Sequence, residues 1–281
     1  MILPIIVEAW PLALRPYMRF LKLGFGVSVV LVMTVRSASI AEAQDCATIL
    51  TKVKANYGTA RTYSASIITH QKSKTKEGQP FAITSSESIK YKAPNLINVV
   101  ITLKGTGAGS DKFSENDKTF VSDGKVITAY VPSKKLYGKR KSPSNITVPD
   151  LLEFIKNLPN ANGEQIISRL ADRTFSGRSA YVVEIRLKMP STYTPAQQLQ
   201  WKAAAANAGP VRVTIDKRNF QLLQITEISN GVAVDINLND QVFNSNIPVA
   251  AFSFVPPPGS KEMQPSNAQR STAAPGSPLK K

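Results

Sequence analysis

The sequence predicts an α+β domain made mainly of antiparallel β-strands, and three observations carry that prediction. Apolar and polar residues alternate with period two over most of the chain, as strands with one wet face require. Turn chemistry separates these runs at short intervals, and Asp123-Gly124, between Phe120 and Val126, is the plainest hairpin signal. Helical periodicity is confined to a stretch after the N-terminal leader, a short apolar segment in the middle and an Ala- and Gln-rich one further on.

Taken in order, Arg19 and Lys22 precede an apolar run from Leu23 to Val35 and then the small residues of RSASIAEAQ, the order of a secretory leader. The run falls short of the roughly 20 residues that span a bilayer, so residues 1–43 are expected to be a cleaved signal peptide, with Met18 as the true start. Ala41-Glu42-Ala43 is the expected processing site and Gln44 the first mature residue. Cys46 stands where a lipid-modified cysteine would, but Asp45 before it does not suit that processing, so no acyl group is expected there. With a single cysteine, no internal disulfide is available and the core must hold the fold.

The mature domain is expected over residues 44–258. Ile49, Leu50, Val53 and Tyr57 recur at helical steps, predicting an amphipathic helix from Asp45 to Tyr63. Strands follow around Tyr63 to Thr69, Ile89 to Tyr91, Val99 to Leu103 and on both sides of the Asp123-Gly124 turn, with further turns at KEGQP (Lys76 to Pro80), APN (Ala93 to Asn95) and GTGAG (Gly105 to Gly109). A short helix from Val148 to Leu158 carries Leu151, Leu152, Phe154, Ile155 and Leu158 facing several ways, so it needs a surface to cover. A helical turn is expected around Gln165 to Leu170. Strands resume in YVVEIRL, VRVTID, QLLQITEI and VAVDINL, with turns at Lys217 to Asn219 and Asn230-Gly231. A helix carrying Trp201 and capped by Thr194-Pro195 is inserted at about 190–209. Residues 259–281, rich in Pro, Ser, Ala and Lys, are expected to form a disordered basic tail.

Charge and residue chemistry narrow the function. Of 35 Lys and Arg four lie before Gln44, and of 19 Asp and Glu two do, leaving the mature chain at +14. A basic secreted protein suits an anionic partner such as phospholipid head groups, lipopolysaccharide or acidic glycan, and no nucleic-acid module is present. The one histidine, His70, ends a strand with no second His or cysteine cluster to join it, so neither a catalytic triad nor a metal site is expected, and no cofactor either. GTGAG precedes a polar turn rather than a helix and so is no phosphate loop. No enzyme activity is expected. Lys134, Lys135, Lys139, Arg140 and Lys141 are expected to form a basic hairpin tip that meets anionic membrane or partner surfaces.

Three segments, SIKYKAPNLI, KTFVSDGKVITAYVPSKKLY and VFNSNIPVAAFSFVPPPGS, resemble the outer-membrane lipoprotein carrier family, LolA and its relatives. The matching stretches are Lys92 to Leu96, Ser122 to Lys125, Tyr130 to Pro132 and Phe252 to Gly259, in the family's order over nearly the whole mature domain. The resemblance implies an open antiparallel sheet curved into a half-barrel, with helices over its concave face as a lid. It also implies a periplasmic location and an apolar cavity that receives the acyl chains of lipoproteins. The partners implied are an acylated protein or lipid and an inner- or outer-membrane receptor. On that reading the lid is Leu151 to Leu158, and the cavity residues are the in-facing members of the strands: Ile89, Tyr91, Val99, Ile101, Phe120, Ile127, Tyr181, Val183, Ile185, Val213, Ile215, Val234, Ile236, Phe252 and Phe254. Carriers of the family place an arginine latch where this chain has Ala93. The same fold also serves envelope sensors and interaction modules that bind a protein partner, so a packed concave face would favour that alternative.

Overall fold

The computed structural model describes residues 37–74, 78–107, 110, 113–142, 150–156, 158, 165–189, 193–205, 208–229 and 232–263. Most of the expected leader and the tail beyond Met263 lie outside these residues, as do the Asn230-Gly231 turn and the side chain of Trp201. The elements are helix α1 (Ser37–Gly58), strands β1 (Thr62–Lys74), β2 (Pro80–Lys92), β3 (Leu96–Gly107), β4 (Lys118–Asp123), β5 (Val126–Val131) and β6 (Leu136–Lys141), helix α2 (Asp150–Lys156), strands β7 (Gln165–Phe175) and β8 (Arg178–Leu187), helix α3 (Pro195–Ala205), and strands β9 (Ala208–Asp216), β10 (Leu222–Ser229), β11 (Val232–Phe243) and β12 (Lys261–Glu262).

All twelve strands belong to one open sheet in the order β12-β6-β5-β4-β3-β2-β1-β11-β10-β9-β8-β7. The fold is thus an α+β half-barrel, mainly antiparallel, as expected. From the centre the chain meanders outward through β1 to β6, crosses to the far edge through the segment holding α2, and meanders back through β7 to β11. β11 then pairs antiparallel with β1, Tyr63 opposite Phe243 and Ile67 opposite Leu238. The ladder β12 to β6 is parallel.

Alternation sets the faces. In β1 Thr62 is buried, and from Tyr63 the buried residues alternate as Tyr63, Ala65, Ile67 and Thr69, while His70 at the end of the run is exposed. Residues directly opposite each other share a face, so Ala65, Ile89, Val99 and Phe120 form one in-facing row across β1 to β4. Ile236, Ile225, Val213 and Val183 form another across β11 to β8. Cys46, Ile49, Leu50, Val53 and Tyr57 of α1 pack on these rows, and so do Leu151, Leu152 and Ile155 of α2.

A hydrogen-bonded clasp closes the seam between the halves. The Tyr57 hydroxyl donates to Gln241 Oε1 at 2.5 Å and accepts the Leu222 N–H at 3.1 Å, while Gln241 Nε2 donates to the Leu222 carbonyl at 2.6 Å. Tyr63 adds a longer bond to Gln241 at 3.2 Å, and Phe243 meets the Tyr57 ring edge-on at 5.0 Å. Burial pushes both tyrosine hydroxyls well above the ordinary range, so they remain neutral donors.

Several expectations are corrected. The helix expected to reach Tyr63 stops at Gly58, and Tyr63 is already in β1. Gln165 to Leu170, expected as a helical turn, is the start of the edge strand β7, paired with β8 from Gln165 opposite Leu187. Edge pairing overrode a local pattern that was short enough to fit either element. GTGAG is not all turn, because β3 continues to Gly107 opposite Phe81. Cys46, three residues past the expected processing site, is fully buried in the core. The Asp123-Gly124 hairpin forms as expected, with Asp123 Oδ1 accepting the Lys125 and Val126 N–H groups at 2.8 and 2.7 Å and Gly124 at φ 89°.

Candidate lipid-binding face

The half-barrel's concave face divides into a packed part and a more open one. Ile89, Tyr91, Val99, Val183, Ile185, Val213, Ile215, Val234 and Ile236 are all buried in the cluster beneath α1 and α2. Val183, Val213 and Ile215 are 0 % exposed, so the molecule's own side chains fill the space around them. Ile101, Phe120 and Tyr181 pack on the margin of the cluster and stay partly exposed. Ile127 faces the same way through Ser122 and Ile97, and it is also partly exposed. The expected lid residues Leu151, Leu152, Ile155 and Leu158 are buried in the cluster, and Phe154 packs against it.

Phe252 and Phe254 are placed elsewhere. The segment expected as a closing strand is instead a 3₁₀ turn, Val249–Phe252, followed by irregular chain. Asn98 Nδ2 donates to the Ala251 carbonyl at 2.7 Å, and Asn98 stands opposite Val121, on the face away from Val99. The segment therefore straps the convex face. Phe254 lies 5.7 Å from the Tyr130 ring and 5.5 Å from the Tyr137 ring, and those two tyrosines are paired across β5 and β6. Four prolines, at 248 and 256–258, explain why this stretch cannot enter a ladder. The strap ends in β12, with Lys261 N–H donating to the Lys135 carbonyl at 2.9 Å and Met263 N–H to that of Tyr137 at 2.7 Å. Residues 259–263, assigned to the tail from composition, thus belong to the folded domain.

The five cations expected at one tip are spread out. Lys134 and Lys135 lie at the turn from β5 to β6, whereas Lys139, Arg140 and Lys141 run to the other end of β6, a distance of about 20 Å at strand rise. Lys139 faces outward, paired with Glu262 at 3.2 Å and 5.3 Å from the centre of the Tyr137 ring. Arg140 stands opposite Ile127 on the concave side. Ala93 occupies the β2–β3 turn, its N–H donating to the Arg61 carbonyl at 2.8 Å.

Two buried carboxyls on the concave face are absent from the sequence-derived cavity list. Glu87 stands between Ile67 of β1 and Ile101 of β3, and Ser85 Oγ reaches its Oε1 at 3.4 Å. Lys118 continues that row opposite Ile101, and burial followed by the charge of Lys134 lowers its affinity for a proton. Glu227 stands between Val211 of β9 and Val234 of β11 and is 3 % exposed. Desolvation pushes its carboxyl up to about 7. By contrast the buried Glu184 faces outward, and although its burial acts upward, hydrogen bonds from Arg212 at 2.8 Å and Arg186 at 2.6 Å hold it below the usual range. The two glutamates differ in whether a cation compensates the desolvation.

Comparison with known proteins matches one stretch of the sequence to a described family and the chain to several solved structures at low identity. Residues 46–157 match the profile of a family described as "Predicted periplasmic protein (DUF2092)". An uncharacterized protein of Methanocaldococcus jannaschii is 28 % identical over 155 residues, covering 54 % of this chain and only 39 % of that relative's length. Among solved structures, lipoprotein LppX of Mycobacterium tuberculosis superimposes with a TM-score of 0.44 and 12 % identity over 73 % of this chain and 98 % of its own. LprF of Mycobacterium bovis gives 0.42 and 11 % over 73 % and 96 %. A LolA superfamily protein of Nitrosomonas europaea gives 0.31 and 12 % over 74 % and 97 %. Over residues 46–157 the chain is thus similar to a family described as periplasmic.

Proposed function

We propose that the protein is a periplasmic carrier or binding protein that holds the acyl chains of a lipoprotein or another lipidated molecule against its concave face. The observation that carries this reading is a group of in-facing apolar residues at the margin of the core, Ile101, Phe120 and Ile127, which stand on three neighbouring cross-strand rows and remain partly exposed. Acyl burial is worth roughly 0.8 kcal/mol per methylene, so a modest movement of the helices on the concave face is offset by a few methylenes. On this reading residues 1–43 are a leader removed after Ala43, and an inner- or outer-membrane receptor loads or unloads the cargo. Carriers of the resembled family have an arginine at the position of Ala93, so the lid here lacks that latch and should open more readily.

Binding of N-phenyl-1-naphthylamine, followed by its fluorescence, tests the reading. The parent protein should bind the probe, and Ile101→Trp and Phe120→Trp should each weaken binding at least ten-fold while the urea midpoint stays close to that of the parent. Val183→Trp is not informative, since Val183 is fully buried and overpacking there costs about 1–3 kcal/mol of stability. Failure of the parent to bind, or unchanged binding in both variants, overturns the carrier reading. The envelope sensor or interaction module then takes its place, a reading favoured by the completely filled part of the face around Val183, Val213 and Ile215.

A further inference from the structure

Among the described residues Glu227 has no partner that accounts for it. Its strand neighbour on the concave side is Ile225, and its cross-strand partners are Val211 and Val234. Next along that row stand Ile185 beyond Val211 and Gln71 beyond Val234, so no charged residue is paired with it on either side. Among the described residues none hydrogen-bonds to the carboxyl or pairs with its charge, and loss of hydration alone acts on it. A buried polar group in that condition destabilises the fold by about 1–3 kcal/mol, and Leu or Ile would fill the same position at no such cost. A group kept in that state marks where a polar atom arrives from outside the chain.

We infer that Glu227 is the polar anchor of the concave face, donating and accepting hydrogen bonds at the uncharged ester or amide that joins an acyl chain to its head. This rests on the acyl-binding reading above and specifies the ligand class within it. The chemistry follows from the surroundings. Between two valines a carboxyl sheds its charge rather than keep it, and a neutral carboxyl offers one O–H donor and a carbonyl acceptor. An ester supplies the acceptor that the O–H needs, and a secondary amide supplies both an acceptor and a donor. A cationic head would instead have to lose its own hydration against a single carboxylate, which buried pairs recover only with excellent geometry and further hydrogen bonds.

The test is displacement of bound N-phenyl-1-naphthylamine by four competitors of similar length: methyl laurate, N-methyl lauramide, tridecane and dodecylamine. They are compared on the parent, Glu227→Leu and Glu227→Gln. Glu227→Leu removes the anchor while relieving the unpartnered carboxyl, so it should fold at least as stably as the parent, which its urea midpoint checks. It should weaken the ester and the amide ten-fold or more and leave tridecane within about two-fold. Glu227→Gln, which keeps an uncharged donor and acceptor, should hold both polar competitors within about three-fold of the parent. Ester and amide affinities unchanged in Glu227→Leu would overturn the inference while leaving acyl binding standing. So would an equal loss for tridecane, which would mark a role in shape rather than hydrogen bonding. Dodecylamine binding the parent more tightly than the amide, with that preference lost in Glu227→Gln, would overturn it in favour of an ion pair. Absence of probe binding to the parent would remove both this inference and the reading it rests on.

Discussion

Glu227 also makes stability depend on pH. Its carboxyl rises from the ordinary 4.5 to about 7 in the folded chain, so the folded state holds the proton more tightly than the unfolded one. The stability this contributes is complete below about pH 4.5 and is lost as pH rises through about 7. The whole effect is on the order of 3 kcal/mol. Between about pH 5 and 8 the parent's urea midpoint should fall relative to that of Glu227→Gln, and parallel curves would show that the proton is not held. Cys46 is the second residue with a sharp expectation. It is 0 % exposed, so the native thiol should not react with Ellman's reagent until the chain unfolds. The protein's intact mass should likewise show no diacylglyceryl group, because the packed interior around Cys46 has no room for one. Glu87 was legible in principle, since in SESIKYK it keeps phase with Ile89 and Tyr91. Glu227 was not, because ITEIS alternates equally well as Ile225 with Glu227 or as Thr226 with Ile228, and only the register with β9 and β11 decides.

At the scale of elements, long amphipathic or alternating runs declared themselves and short or proline-bearing ones did not. The helix α1, most strands of the two meanders and the helix inserted between β8 and β9 follow directly from periodicity. β7 was misread because it is an edge strand whose exposed residues leave little alternation to see. The convex strap was misread because Phe252 and Phe254 alternate like a strand, while the prolines around them exclude a ladder. The strap also separates two kinds of contact. Lys139 and Glu262 are both about half exposed, so Glu262→Gln should change stability by less than about 0.5 kcal/mol. Phe254→Ala removes a ring packed on Tyr130 and Tyr137 and should cost about 1–3 kcal/mol, lowering the urea midpoint without changing the slope. Equal effects of the two substitutions would show that the strap is held by charge. The helix α2 belongs to the core more than its lid role suggested: Ile155 is fully buried, and Ile155→Ala should cost about 2–5 kcal/mol by the same measurement.

For the whole molecule, the fold class was accessible because the many alternating runs and turns leave few architectures other than an antiparallel sheet. Strand order was not, since nothing local in β1 or β11 says that they are neighbours. That pairing has a consequence for how the chain is made. Tyr63 meets Phe243 across the centre of the sheet, so the middle of the structure joins an early part of the polypeptide to a late one. Contacts of such separation slow folding, because the intervening loop must close before they reward it. A polypeptide delivered N-terminus first completes the β1 to β6 meander while β1 still presents an unpaired edge. That edge is a template for any strand that reaches it, and it stays so until β11 has been synthesised and has returned to it. Folding is therefore a race between β11 and foreign strands, and a holdase that shields the β1 edge would change the yield of the protein without touching its final stability.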